Sequence, residues 1–248
     1  MKKLIPLFAI LLLSGTRAAF AQTADDVIEK ALTADGGRAA LTKIRSRTMT
    51  GTIVLTTPAG EISGAIEIYN KAPNKSRSVI KLDLTQFGAG PVAIDQRFDG
   101  SVGYVMDPLQ GNRDVTGNQL ENQKNGSFPS PLLDYKERGV TATLLPKEKV
   151  DGRNAFVLQL TPKAGSAIKN YIDAETYLLV RVVVTVNVPQ LNADVESTVD
   201  MSDFRAVDGV KLPFVTKLSS SVQNYTVTIA KVEQNAEIDD KMFKKPEK

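Results

Sequence analysis

The 248-residue chain has no histidine, cysteine or tryptophan, and it carries 31 Lys and Arg against 28 Asp and Glu. Without imidazole or thiol there is no Ser-His-Asp triad, no cysteine nucleophile, no ordinary zinc or haem site and no side chain that titrates near neutrality when unperturbed. Three of the cations, Lys2, Lys3 and Arg17, fall in the first 21 residues, which leaves 28 against 28 and removes the electrostatic footprint that nucleic-acid binding needs.

Those first residues read as a signal peptide: Lys2-Lys3, an apolar run from Leu4 to Leu13, then Ala19-Phe20-Ala21 as a small-x-small cleavage site. The run is shorter than the roughly 20 residues of a permanent span, and there is no cysteine to carry a lipid at the cleavage point. The expectation is a periplasmic protein that is not lipid-anchored, with residues 1–21 removed and 22–248 forming a single domain. A chain of 227 residues buries roughly 70–75% of its unfolded surface, enough for a core without disulfides.

Thr23 followed by Asp25-Asp26 predicts a helix start, Val27, Ala31 and Leu32 share a face, and Gly36-Gly37 predicts the end. A second short turn follows over Ala39–Ile44. Beyond Ser46 the apolar period falls from 3.6 to 2, predicting strands over Arg47–Thr57, Ile62–Lys71, Lys75–Thr85, Val92–Phe98 and Ser101–Asp107. Asp99-Gly100 signals a hairpin, as do Asp151-Gly152 and Asp208-Gly209 further on. Shared hairpin chemistry explains these three turns without an internal repeat.

Gln110–Gly139 interrupts the pattern with a polar, Asn/Gln-rich stretch, for which two short helices are predicted, Gly117–Lys124 and Pro131–Arg138. From Thr141 to Glu233 strand follows strand, including Ala193–Phe204, Val210–Ser221 and Val222–Glu233. Within this half, Phe156, Leu158 and Leu160 share one strand face, and Val180, Val182, Val184, Val186 and Val188 share another. Such a stripe needs an apolar cover, whether helices, a second sheet or a ligand. The whole is mainly β (α+β): roughly ten to twelve antiparallel strands with segregated helices, and no crossover helices for a βαβ arrangement.

Of the remaining chemistry, Asp95, Asp99, Asp107, Asp173 and Glu175 are carboxylates of the type that could perform paired acid and base work. Asp99 and the Asp173-Ala-Glu175 stretch read as turns, however, and no catalytic residue is assigned. Acidic turns such as Asp239-Asp240 lack the spaced oxygens of a calcium loop. No metal and no cofactor are expected.

The N-terminal helix ending in Gly36-Gly37, the run Tyr69-Asn70-Lys71-Ala72-Pro73-Asn74-Lys75-Ser76-Arg77, Phe98-Asp99-Gly100, Ser202-Asp203-Phe204-Arg205 and the closing Phe243-Lys244-Lys245-Pro246 follow one another in a characteristic order. In that order the chain resembles the LolA/LolB-like outer-membrane lipoprotein-sorting superfamily, over nearly its whole length after residue 21. The resemblance implies a sheet of about eleven strands curled into a half β-barrel, with short helices as a lid over an apolar concave face that accepts acyl chains. It implies further that Gln110–Gly139 is the lid and that the valine stripe lines the cavity. The dedicated carriers of that family place a lid-locking arginine before the proline of the run, where this chain has Ala72, so their energy-coupled lid mechanism is not carried over.

The expected function is that of a periplasmic carrier or sensor, not an enzyme, that holds lipoprotein acyl chains or lipid and serves lipoprotein sorting or envelope lipid handling. The expected cavity residues are Ile66, Ile68, Ile80, Leu82, Phe156, Leu158, Leu160, Val180, Val182 and Val184, with Leu120, Phe128, Leu132 and Leu133 from the lid. Burying an acyl chain yields about 0.8 kcal/mol per CH2, so an open apolar trough suffices for affinity. The alternative is a ligand-free β scaffold that binds another envelope protein through its rim or edge strands.

Overall fold

In the computed structural model the described residues are 22–188 and 193–247. The expected signal peptide, residues 1–21, lies outside them.

The chain enters the fold through helix α1 (Ala24–Ala34), which begins as its sequence predicts. Thr23 Oγ1 accepts from the Asp26 amide at 3.1 Å, and Asp26 Oδ2 accepts from the Thr23 amide at 3.0 Å, a reciprocal cap that satisfies two donors at the helix start. At the other end Gly36 has φ +121°, and a Cβ there would stand 2.2 Å from the Gly209 carbonyl oxygen. Only glycine allows the helix end to abut that distant turn so closely. A one-turn helix α2 (Arg38–Leu41) follows.

Among the described residues thirteen strands then form one antiparallel, curled, unclosed sheet. The first six are β1 (Ser46–Thr57), β2 (Gly60–Lys71), β3 (Lys75–Asp83), β4 (Pro91–Phe98), β5 (Gly103–Met106) and β6 (Arg113–Val115). After helix α3 (Gly117–Lys124) come β7 (Thr141–Val150), β8 (Arg153–Thr161), β9 (Ile168–Asp173), β10 (Leu179–Val188), β11 (Ala193–Val207), β12 (Val210–Ser220) and β13 (Asn224–Gln234). Each strand pairs with its neighbour in sequence, except that β1 pairs with β13 and β6 does not pair with β7. The sheet is therefore a meander whose ends have been joined and whose one gap, between β6 and β7, is where residues 116–140 are inserted.

Two of the hairpin turns carry the geometry their sequence demands: Asp151 and Gly152 have φ +49° and +82°, Asp208 and Gly209 +47° and +79°. Positive φ at both central residues matches the right-handed twist of the flanking strands. Asp99-Gly100 differs. Asp99 Oδ1 accepts from the amides of Ser101 at 2.9 Å and Val102 at 2.8 Å, which makes a longer turn closed by its own side chain.

The polar segment is shorter than expected, since β6 occupies 113–115 at the sheet edge and the cover begins at Thr116. Its first helix forms over Gly117–Lys124 as predicted, but the second, over Pro131–Arg138, does not; these residues make successive turns. Tertiary contacts set this segment instead: Leu132 and Tyr135 are buried in the core cluster, Arg138 Nη2 donates to the Pro131 carbonyl at 2.7 Å and Arg38 Nη1 to the Leu133 carbonyl at 3.0 Å.

Candidate functional site

Strand register places one row across nine strands, apolar except at Asn170. Ile62 pairs with Leu55, Leu55 with Tyr225, Tyr225 with Leu218, Leu218 with Val199, Val199 with Val182, Val182 with Asn170, Asn170 with Leu158 and Leu158 with Leu144. Directly paired residues project to the same face, so this row traces the inner surface of the curled sheet.

One part of that surface is packed core. Ile66, Leu82, Phe156, Leu158 and Leu160 are all at most 6% exposed and cluster with Val27, Ile28, Ala31 and Leu32 of α1. The helix is thus the apolar cover that the Phe156–Leu160 stripe requires. Ile68 and Ile80 are partly buried against the same cluster, and so are Phe128 and Leu133 of the cover, while Leu132 is fully within it. Leu120 is half-buried and belongs to neither of the two apolar clusters.

The valine stripe does not run unbroken. A β-bulge between Leu179 and Arg181 inserts Val180, and Val180 packs with Val150, Ala155, Val157 and Tyr171 on the opposite face. One extra residue reverses the alternation. The expected cavity position Val180 is corrected accordingly. Beyond the bulge Val182 and Val184 return to the inner face through their pairing with Asn170 and Ile168, half-buried and outside the α1-centred core. With Val199 and Leu218 they form an inner apolar region that α1 does not cover.

Residues 116–140 span the gap in the sheet and are tied down on both sides. Asn74 Nδ2 donates to the carbonyls of Gln123 at 2.9 Å and Lys124 at 3.1 Å, capping the end of α3, and the Pro73 carbonyl accepts from the Phe128 amide at 2.8 Å. Toward the β8–β9 loop, Asn122 Oδ1 accepts from the Ser166 amide at 2.7 Å and Asn125 Nδ2 donates to the Ala164 carbonyl at 2.6 Å. Asp25 of α1 accepts from the Tyr135 hydroxyl and, at 2.5 Å, from Lys136 Nζ. These donors lower the Asp25 carboxyl below its ordinary value, Lys136 first and Tyr135 second.

Where the cover meets α2 and the β2–β3 turn an open pocket of about 310 Å³ remains, with Ile44, Ala72, Pro73, Phe128 and Leu133 in its wall. It falls in the lower range of small-molecule sites. A second, smaller space of about 60 Å³ lies where Pro131 and Val140 approach Leu160 and Ile168. Under the cover is Arg47 of β1, 7% exposed, with its guanidinium 5.2 Å from the centre of the Phe128 ring. Burial depresses its pKa to about 10, against the attraction of Asp35. Burial also pushes the Asp35 carboxyl up to about 6, opposed by Lys211 and Arg47. Neither residue was singled out by the periodicity, although an arginine at an inward position of a strand is a signal that period alone contains.

The carboxylates considered for acid and base work hold structure. Asp95 is gripped by Arg77 at 2.7 and 3.0 Å and by Arg97 at 2.8 Å. Asp107 closes a turn by accepting the Leu109 amide at 2.8 Å, and Asp173 does the same for Thr176 at 2.8 Å. Among the described residues no group of acidic side chains could hold a metal ion.

No family model matches the sequence, and no curated protein is similar to it. Solved structures share the fold. A DUF1329 family protein from Desulfovibrio piger superposes with a TM-score of 0.59 at 13% identity, over 90% of this chain and 98% of its own. A LolA superfamily protein from Nitrosomonas europaea gives 0.57 at 15% identity, over 91% and 99%. A putative outer membrane lipoprotein-sorting protein domain from Vibrio parahaemolyticus gives 0.55 at 11% identity, over 89% and 95%. The chain has the LolA-like fold at distant sequence identity, as the order of its motifs implied.

Proposed function

We propose that this LolA-like chain is a periplasmic carrier or sensor that holds acyl chains of a lipoprotein or lipid between its inner face and the 116–140 cover, without catalysing a reaction. The observation that carries this reading is the division of the inner face. One part is filled by α1, whereas Val182, Val184, Val199 and Leu218 continue the same face half-buried and outside that core. A half-covered β-branched surface gains free energy from any chain laid on it, at about 25 cal/mol per Å² removed from water, and needs no polar code. The kinship of fold with a lipoprotein-sorting domain supports the same reading.

The alternative is a ligand-free scaffold that binds another envelope protein through its edges. It is favoured by the closeness with which α1 fills its part of the face, where Val27, Ile28 and Leu32 are fully buried. Native mass spectrometry of the protein purified from a periplasm without detergent separates the two. Solvent-releasable mass above the polypeptide cleaved after Ala21, matching phospholipid or acylated peptide, supports the carrier. A bare polypeptide, unchanged after incubation with lipid, overturns it in favour of the scaffold.

A further inference from the structure

We infer that the ligand carries an anionic head on its alkyl chain, and that Arg45 and Arg47, beside the 310 Å³ pocket, are its receptor. This deepens the carrier reading and rests on it.

The pocket wall is apolar at Ile44, Ala72, Pro73, Phe128 and Leu133, and its charged side chains are Arg38, Arg45 and Asp134. Two of these are already satisfied. Arg38 is held by Glu29 at 2.6 Å and by the Leu133 carbonyl, and Asp134 is paired with Arg138 at 2.9 Å. Arg45 is exposed, and its guanidinium makes no ion pair or hydrogen bond among the described residues. The pocket therefore offers one uncommitted positive charge above an apolar wall.

Arg47 supplies the second observation. Phe128 both lines the pocket and covers the Arg47 guanidinium. Although Arg47 is more than nine-tenths buried, the sole hydrogen bond of its guanidinium among the described residues is a long one, Nη2 to Gln234 Oε1 at 3.5 Å, and its buried Nε has no partner there. Asp35 attracts it without forming an ion pair. A buried guanidinium ordinarily has its donors occupied, because a charged group taken out of water loses its hydration and regains nothing where it is unpaired. Its planar fork matches a carboxylate or phosphate with two parallel bonds. An anionic head admitted past Phe128 would satisfy the orphan donor, with Arg45 closing over it and the alkyl chain following the apolar wall.

The test is displacement of the neutral fluorophore N-phenyl-1-naphthylamine by three amphiphiles of equal chain length: decanoate, decanoyl-lysophosphatidylglycerol and uncharged monodecanoylglycerol. Wild type, Arg45→Gln and Arg47→Gln are compared. Wild type should bind at least one of the anions about tenfold more tightly than the neutral compound, the size of one charge-assisted pair. Each substitution should remove most of that preference while leaving monodecanoylglycerol unaffected. Preference for decanoate alone assigns a carboxylate head, and preference for the lysolipid alone a phosphate. Should Arg47→Gln fail to fold, exposed Arg45→Gln still decides the matter. Equal binding of all three compounds, or an anion preference untouched by Arg45→Gln, overturns the inference and leaves the carrier reading standing. Failure of all three to bind overturns both.

Discussion

Leu133 gives its main-chain carbonyl to Arg38, whose Nη1 donates to it at 3.0 Å while Nε and Nη2 hold Glu29 at 3.0 and 2.6 Å. One guanidinium thus joins α1, α2 and the cover. Where the resemblance led to Ala72 in place of an arginine, a different arginine reaches the cover from another element. Arg38→Ala should release residues 131–140 without unfolding the sheet. Both charged partners are about half exposed, so global stability should change by less than about 1 kcal/mol. Amide hydrogen exchange over 131–140 should quicken nonetheless, with the sheet amides unchanged. Unaltered exchange there would show that burial of Leu132 and the bonds made by Tyr135, Lys136 and Arg138 hold the segment without Arg38. Acid should mimic the substitution: Arg38 lowers the Glu29 carboxyl below its ordinary value, so this contact is present above the ordinary value and lost as pH falls through the lowered one.

Asn74 closes the end of α3 from the β2–β3 turn, with both bonds made by its Nδ2. Asn74→Ala removes both bonds, at about 1 kcal/mol each; the Gln123 carbonyl keeps the Gly126 amide at 3.1 Å, and the Lys124 carbonyl loses its cap. The helix is only eight residues long, with no fully buried side chain, and has little else to hold it. Exchange at the α3 amides should rise to nearly that of an open loop. A rise shared equally by the whole sheet would contradict a local role.

Why some of this was legible and some not follows from the range of the forces involved. The Thr23 cap and the Asp151-Gly152 and Asp208-Gly209 turns are decided by neighbours within three residues, and they appear where the sequence predicts them. The run Tyr69–Arg77 marked the fold, but its roles lie far away in the chain. Asn74 caps α3, Pro73 holds Phe128, and Arg77 grips Asp95. The bulge at Val180 left no trace because Leu178, Leu179, Val180, Val182, Val183 and Val184 are all apolar, so a shift of one residue still places an apolar side chain on the inner face. The failed helix over Pro131–Arg138 has sound local signals and was overruled by tertiary contacts, the burial of Leu132 and Tyr135 and the bond from Arg38, 95 residues from Leu133.

Asp35 gives a pH dependence of known sign. Its folded carboxyl is pushed up to about 6 by burial, against about 3.9 in an unfolded chain. Below about pH 4 both states hold the proton and nothing is lost. As pH rises from about 4 to 6 the unfolded chain ionises first, so stability falls, and above about 6 the penalty is complete. A difference of that size is worth at most about 3 kcal/mol, and partial exposure of the residue brings the expected effect nearer 1 kcal/mol. Asp35→Asn should therefore melt above wild type at pH 7.5 and together with it at pH 4, by circular dichroism. A gap of equal size at both pH values would rule out titration as its origin.

The division of the inner face can be tested with two substitutions in one paired row. Leu158 and Val182 both pair with Asn170, yet Leu158 is fully buried in the cluster that includes α1, and Val182 is half-buried outside it. Leu158→Ala leaves a cavity in packed core and should cost about 2–5 kcal/mol, seen as a lower denaturation midpoint, with ligand retention preserved in the protein that remains folded. Val182→Asp places a charge on the half-buried part of the inner face that α1 does not cover, where water still reaches it, so the protein should stay folded and soluble. An acyl chain laid beside that carboxylate would have to desolvate it, at a cost larger than the roughly 0.8 kcal/mol each CH2 returns. Lipid retained by wild type in native mass spectrometry should accordingly be absent from Val182→Asp. If retention is unchanged, the acyl chain does not reach Val182 and is held along the wall beside Phe128, where the pocket lies.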